Sequence, residues 1–223
     1  MNEIHYPRPH DLLWHTGVQG LTALPAQSSL PAWLNPNWPV VVRRAPMSED
    51  GLSLPVGLRG MTRSVRCPAM LSHAAIKRCL TPESLTEPDL WLLHPLISDF
   101  PAIGTLMNLI QTLSSTDLVW GPVGSVGFAL ATGTAVLRTD SDLDLVVRSD
   151  EPLKPEQIKL LQQVQHVSEC RIDVQIDSGR GGFSLAEWVR GAGRVLLKTN
   201  FGPILTNNPW SDQFQPDAKK KSA

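Results

Sequence analysis

A chain of 223 residues is long enough for one large domain or two modest ones, each with its own core. Its 42% hydrophobic fraction and formal net charge of -1 are those of an ordinary globular protein and argue against one that coats nucleic acid, though a local basic pocket stays open. Three cysteines without a CxxC pair, no apolar leader-like stretch near the N-terminus and no run of ~20 apolar residues make a reduced, cytoplasmic protein without a membrane segment the expectation.

In chain order, Pro39-Val40-Val41-Val42-Arg43 reads as a strand, and Leu52 to Leu58 as another interrupted by Pro55. Ser72 is placed to cap a short helix running to about Leu80. Thr81 to Asp89, with Pro82, Pro88 and several acids, suits a linker. The expected division is therefore an N-terminal domain over 1–90, a second domain over 91–212, and a solvated tail over 213–223 that ends in three lysines.

Beyond the linker, Ile103, Leu106, Met107, Ile110 and Leu113 recur at helical spacing. Leu118-Val119-Trp120 is a short buried strand, and Gly121 to Gly124 turns into a short helix over Ser125–Ala131 that Gly133 ends. Ala135 to Arg148 reads as extended. Pro155 opens a helix with Ile158, Leu161 and Val164 inward, and Val167 at its end. Arg171 to Asp177 alternates as a strand, Ser184-Leu185-Ala186-Glu187 is a capping box opening a helix, and Val195 to Leu197 is a further strand.

The chemistry concentrates on two of these strands. Side chains alternate faces along a strand, so Asp142 and Asp144 share one face while Leu143, Leu145 and Val147 share the other. The apolar face packs on a helix, and the acidic face looks into a cleft, because neighbouring carboxylates repel and are costly to bury unpaired. In the second strand Ile172, Val174 and Ile176 point one way and Asp173 the other, with Arg171, Gln175 and Asp177. Asp142, Asp144 and Asp173 are thus expected to face one cleft and to bind Mg²⁺ or Mn²⁺, the arrangement that in-line attack on phosphorus requires. Gly124 and Ser125 at a helix start would bring backbone N–H groups and a hydroxyl to phosphate oxygens. Arg138, Lys198 and the group Arg59, Arg63 and Arg66 are candidate grips for phosphate.

Blander readings compete. Asp140, Asp142 and Asp144 fall at positions 1, 3 and 5 of a calcium loop with Glu151 at position 12, but Leu145 stands where such a loop needs glycine. For Asp173 the rival reading is a structural salt bridge to an arginine, and for the arginine group it is a solvated face. His10, near Asp11, Trp14 and His15, is as readily structural as functional.

The ordered set of Gly124-Ser125, the pair Asp142-Leu143-Asp144-Leu145 and the later Ile172-Asp173-Val174 resembles the DNA polymerase beta-type nucleotidyltransferase superfamily, with a longer spacer between Ser125 and Asp142 than that pattern leads one to expect. With the predicted elements, this implies an α+β fold: a nucleotidyltransferase-type mixed sheet with flanking helices, preceded by a smaller β-containing N-terminal domain. A narrower resemblance rests on three stretches: Arg8-Pro9-His10-Asp11-Leu12-Leu13-Trp14, Pro55-Val56-Gly57-Leu58-Arg59-Gly60, and Trp120-Gly121-Pro122-Val123-Gly124-Ser125 through Thr132-Gly133 to Leu145. These are similar to phosphoribosyl-dephospho-CoA transferase, the holo-acyl-carrier-protein synthase of bacterial malonate decarboxylase.

That resemblance implies triphosphoribosyl-dephospho-CoA as donor and the apo acyl carrier subunit of malonate decarboxylase as partner, with 1–90 as a substrate or carrier domain, 91–212 as the nucleotidyltransferase catalytic domain, and Arg59, Arg63, Arg66 and Lys198 as grips for the triphosphate or the CoA moiety. No nucleic acid polymer is implied, and the family's acid pair maps onto Asp142 and Asp144. Two other functions stay open: transfer of AMP or another nucleotide to a protein or small molecule, and a non-catalytic nucleotide-binding or carrier-docking module.

Overall fold

The computed structural model describes residues 6–24, 29–62, 64–90, 100–166, 169–191 and 194–212. The expected tail, Arg63 and Val167 lie outside these residues. So do residues 91–99, which abut the boundary drawn at 90.

The N-terminal part folds as a six-stranded antiparallel sheet. Its strands are β1 (Leu12–His15), β2 (Leu21–Ala23), β3 (Val40–Val42), β4 (Ser53–Arg59), β5 (Arg66–Ser72) and β6 (Ile76–Leu80), in spatial order β2-β5-β4-β3-β1-β6. Pro55 does not interrupt β4. Its carbonyl accepts from the Arg43 N–H at 2.9 Å just past the end of β3, so the ladder bond that proline cannot donate falls at the margin of the β3–β4 pairing and not within it. The helix expected after Ser72 is replaced by a single 3-10 turn, His73–Ala75, followed by β6. Ser72 makes no side-chain cap there, and Ile76 to Leu80 instead pair with β1, so sheet pairing overrides a weak local helix signal. The expected linker is packed rather than loose: two 3-10 turns, Glu83–Thr86 and Pro88–Leu90, bury Leu85.

The C-terminal part is a second six-stranded sheet. It comprises β7 (Val119–Pro122), β8 (Leu143–Arg148), β9 (Ile172–Asp177), β10 (Gly182–Ser184), β11 (Val195–Thr199) and β12 (Gly202–Thr206), each beside its neighbour in sequence. Its helices are α1 (Pro101–Leu113), α2 (Gly124–Thr132), α3 (Pro155–His166) and α4 (Leu185–Arg190). Every pair is antiparallel except β8 and β9, which α3 connects as a parallel pair, as such a crossover requires. The fold is therefore α+β with a mixed sheet and flanking helices behind a β-rich N-terminal part. The extended stretch expected over Ala135–Arg148 is strand only from Leu143, because the preceding residues turn around Arg138 and Ser141 instead of finding a partner.

One face of β8 and β9 makes the core. Leu143, Leu145, Val147, Val174 and Ile176 are essentially fully buried, joined by α1 through Leu106 and Leu109 and by α3 through Leu161. Each such side chain contributes roughly 1.5–3 kcal/mol on removal from water. That packing fixes which way the alternate residues point, and it hands the opposite face to Asp144 and Asp173.

Candidate functional site

Between the two sheets lies a cavity of about 1190 Å³. Its floor is the polar face of the second sheet, and its roof comes from the first. The register sets Asp144 opposite Asp173 on the parallel pair, so two carboxylates stand on the same face of adjacent strands, ~4.8 Å apart in backbone spacing. Both line the cavity. The Asp173 carboxylate makes no hydrogen bond or ion pair among the described residues, so it serves no structural salt bridge there. Asp142, half-buried, lies one residue ahead of β8 and is not part of the cavity lining.

The Gly124-Ser125 turn meets this pair directly. Gly124 has φ +64°, and a Cβ built on it would stand 2.2 Å from Asp144 Oδ2, so the turn and the carboxylate approach as closely as they do only because the residue is glycine. The turn opens α2, whose end is set by Gly133 at φ 67°. Arg59, at the end of β4 in the other sheet, reaches across to it. Its guanidinium donates to Ser125 Oγ at 2.9 Å and to the Gly124 carbonyl at 3.3 Å, and lies 4.9 Å over the Phe128 ring. Arg59 was expected as a ligand grip; it is buried, lines the cavity, and braces the phosphate-type turn.

Five cationic side chains line the cavity, Arg43, Arg44, Arg59, Arg66 and Lys198, against the carboxylates Asp144 and Asp173. Arg59 and Arg66 are cross-strand partners on β4 and β5. Like charges placed directly opposite one another destabilise a sheet, and the excess of positive charge suits a polyanion. Arg138 stands elsewhere: it is exposed and pairs at 3.0 Å with Asp140 of its own loop.

The same parity that aims the acids at the cavity also sets a buried ion-pair cluster on that face. Further along the shared face, Arg148 is register partner to Asp177. Arg148 Nη1 donates to Asp177 Oδ2 at 2.8 Å and Nη2 to Asp11 Oδ1 at 2.9 Å, while Nε bonds Glu83. Arg44 adds a second pair to Asp177 at 2.9 Å. Buried charges persist only when paired and hydrogen-bonded in this way, and here they tie Asp11, just ahead of β1, and Glu83 of the connector to the second sheet. Burial alone would raise the Glu83 carboxyl, but the Arg148 charge, hydrogen bonds and Arg8 carry it below the usual carboxylate range.

His10 also lines the cavity, in the left-handed region at φ 78°. Burial, and then the neighbouring Arg44 charge, lower its imidazole to about 4, so it is neutral near pH 7. Burial and Asp11 push the Cys79 thiol up to about 12, which removes it as a thiolate nucleophile.

Sequence reasoning weighed His10 and placed Asp177 beside Asp173, but it missed Arg43, Arg44 and Arg148. The available signal was parity: Arg148 is four residues beyond Asp144 and so shares its face. Among the described residues, no group of three or more His, Cys, Asp or Glu is placed to hold a metal ion. A two-carboxylate site fits a hard cation that fills its remaining positions with phosphate oxygens, as Mg²⁺ does. Likewise, no helix among the described residues is long and apolar enough to cross a membrane.

Comparison with known proteins covers nearly the whole chain. Residues 8–82 match the model of the phosphoribosyl-dephospho-CoA transferase MdcG N-terminal domain, and residues 89–209 that of its C-terminal domain. A phosphoribosyl-dephospho-CoA transferase of Pseudomonas putida is 40% identical over 211 residues, covering 93% of this chain and 97% of the relative. One from Pseudomonas aeruginosa is 39% identical over 208 residues, covering 92% and 94%. One from Klebsiella pneumoniae is 40% identical over 209 residues, covering 92% and 96%. No solved structure matches the chain.

Proposed function

The chain belongs to the phosphoribosyl-dephospho-CoA transferase family and is a transferase, and from that premise we propose that it moves phosphoribosyl-dephospho-CoA from 2'-(5''-triphosphoribosyl)-3'-dephospho-CoA to a serine of the apo acyl carrier subunit of malonate decarboxylase, releasing pyrophosphate. The observation that carries this reading is the in-register Asp144 and Asp173 pair, facing a cation-lined cavity beside the Gly124-Ser125 turn.

Asp144, with Asp142 just ahead of the same strand, is the residue to hold Mg²⁺ or Mn²⁺ against the triphosphate. When bound, the cation supplies neutralisation of the triphosphate and of the departing pyrophosphate. The N–H groups at the start of α2 and the Ser125 hydroxyl orient the phosphates, helped by the positive helix end. Arg59 keeps that turn in place, and Arg66 and Lys198 offset phosphate charge. The carrier serine Oγ attacks the α-phosphorus, forming the new O–P bond as the bond to the bridging oxygen breaks and pyrophosphate leaves. Asp173 takes the serine proton. Because the nucleophile belongs to the partner, the chain needs no activated serine or cysteine of its own.

The cysteines Cys67, Cys79 and Cys170 form no disulfide with one another, which suits the reducing cytoplasm as the setting. A pyrophosphate-release assay with the apo carrier tests the site. Asp142→Ala and Asp144→Ala are expected to lose at least about a hundredfold in rate, and retained activity in both would reject the metal-site assignment.

A further inference from the structure

The floor of the cavity does not end at the acids. Register links Arg148 to Asp177, Asp177 to Gly182, Gly182 to Lys198 and Lys198 to Pro203, so one continuous face runs from β8 to β12. Gly182 has no side chain, and Arg44 lies over it, 2.8 Å from where a Cβ would stand. Beyond that point the face changes character. Leu196 and Leu205 are cross-strand partners left 40% and 56% exposed, and Phe201 at the hairpin tip is 65% exposed. Leu196, Lys198, Phe201 and Pro203 all line the cavity. An edge hairpin usually blunts itself with charge, and apolar side chains left open on such an edge mark a surface that something covers.

Resting on the transferase reading above, we propose that the β11–β12 hairpin is the subsite for the dephospho-CoA body of the donor. The adenine ring stacks on Phe201, Leu196 and Pro203 close its apolar flank, and Lys198 pairs with the diphosphate. Three facts single out this occupant. The apolar face is continuous with the catalytic cavity, and β11 is three strand spacings, ~14 Å, from β8. That matches a ligand with a triphosphate at one end and a ring further on. The volume of about 1190 Å³ exceeds the ~300–1,000 Å³ of ordinary ligand sites, so it holds much more than a triphosphate and one ribose. And Lys198 shares this face between Leu196 and the hairpin tip that carries Phe201, where an apolar protein partner would have no use for a cation but a diphosphate would.

Titration calorimetry with dephospho-CoA, which lacks the triphosphoribosyl arm, and separately with inorganic tripolyphosphate tests the assignment. Phe201→Ala is expected to weaken dephospho-CoA binding roughly tenfold, with Phe201→Trp keeping it and Phe201→Leu losing it. Tripolyphosphate affinity should move less than about twofold, since stacking supplies none of it. Both positions are exposed, and circular dichroism confirms that each variant folds. Unchanged dephospho-CoA affinity in both Phe201→Ala and Leu196→Ser overturns the subsite, as does an effect confined to the KM for the carrier, which would make the hairpin a partner dock. Absence of dephospho-CoA binding in the wild type overturns it too. The transfer reading fails separately: if the carrier gains no mass while dephospho-CoA binding still depends on Phe201, that reading falls and the subsite stands.

Discussion

Replacing Gly124 with alanine perturbs backbone and chemistry at one point, and the two costs separate. At φ +64° an alanine pays about 1–2 kcal/mol for the left-handed conformation. For a chain of this size that is a fall in Tm of roughly 2–8 °C. The added Cβ would also stand 2.2 Å from Asp144 Oδ2, against 3.4 Å for ordinary contact, so turn and carboxylate must part by about the 1.2 Å difference. A misplacement of ~1 Å at a reacting centre costs on the order of a hundredfold in rate. Gly124→Ala should therefore lose about a hundredfold in pyrophosphate release per folded molecule, well beyond what its stability loss explains. Gly133→Ala is the control: with φ 67° at the other end of α2, it should lose comparable stability while keeping its rate. Thermal unfolding and pyrophosphate release, measured on both variants, decide the matter. Activity of Gly124→Ala within threefold of wild type would refute the claim that this turn and Asp144 act as one unit.

The buried arginine gives a second test. Arg148→Met leaves Asp11, Glu83 and Asp177 without their shared cation, and urea denaturation should show a loss of about 3–5 kcal/mol; Arg148→Lys should not restore it, because an ammonium cannot reproduce three separate guanidinium contacts. For pH, the folded His10 imidazole at about 4 lies below its unfolded value near 6.5, so the unfolded state binds more protons between those limits. Its contribution is complete above about pH 6.5 and is lost as pH falls toward 4, by an amount on the order of 3 kcal/mol. His10→Asn, which tolerates the left-handed backbone, should flatten that part of the stability curve, and equal slopes in both proteins would contradict the assignment. Chelation should stop transfer, with Mg²⁺ or Mn²⁺ restoring it in wild type but not in Asp144→Ala, as followed by pyrophosphate release.

What the sequence made legible was local. The helix over Ile103 to Leu113, the Gly133 stop after α2 and the alternation of β8 and β9 each act within a few residues, and each appears in the fold, although Leu109 and not Met107 is buried on that helix. The Ser184 cap did as well, its Oγ accepting from the Glu187 N–H at 3.4 Å, although Glu187 turns to the Leu196 N–H instead of completing the box. Parity on two separate strands was enough to expect Asp144 and Asp173 on one face, since register adds only the pairing.

What stayed hidden depends on distant partners. β6 looked helical because nothing nearby shows that it pairs with β1. Arg148 finds Asp11 across 137 positions and Glu83 across 65, and no pattern around Arg148 announces either. Arg59 was legible as a cation near the site, but its service to Ser125 depends on the first sheet packing over α2. The short strands β2, β10 and β12 carry too few residues for a period to show.

The central claim is a group transfer to a carrier serine at the Asp144 and Asp173 pair. Intact-mass spectrometry of the apo acyl carrier subunit, incubated with the protein, Mg²⁺ and triphosphoribosyl-dephospho-CoA, tests it most directly. The account predicts a single mass gain equal to phosphoribosyl-dephospho-CoA, one pyrophosphate released per carrier, and no gain with Asp144→Ala. An unmodified carrier, or a gain equal to AMP when ATP is supplied instead, would contradict it.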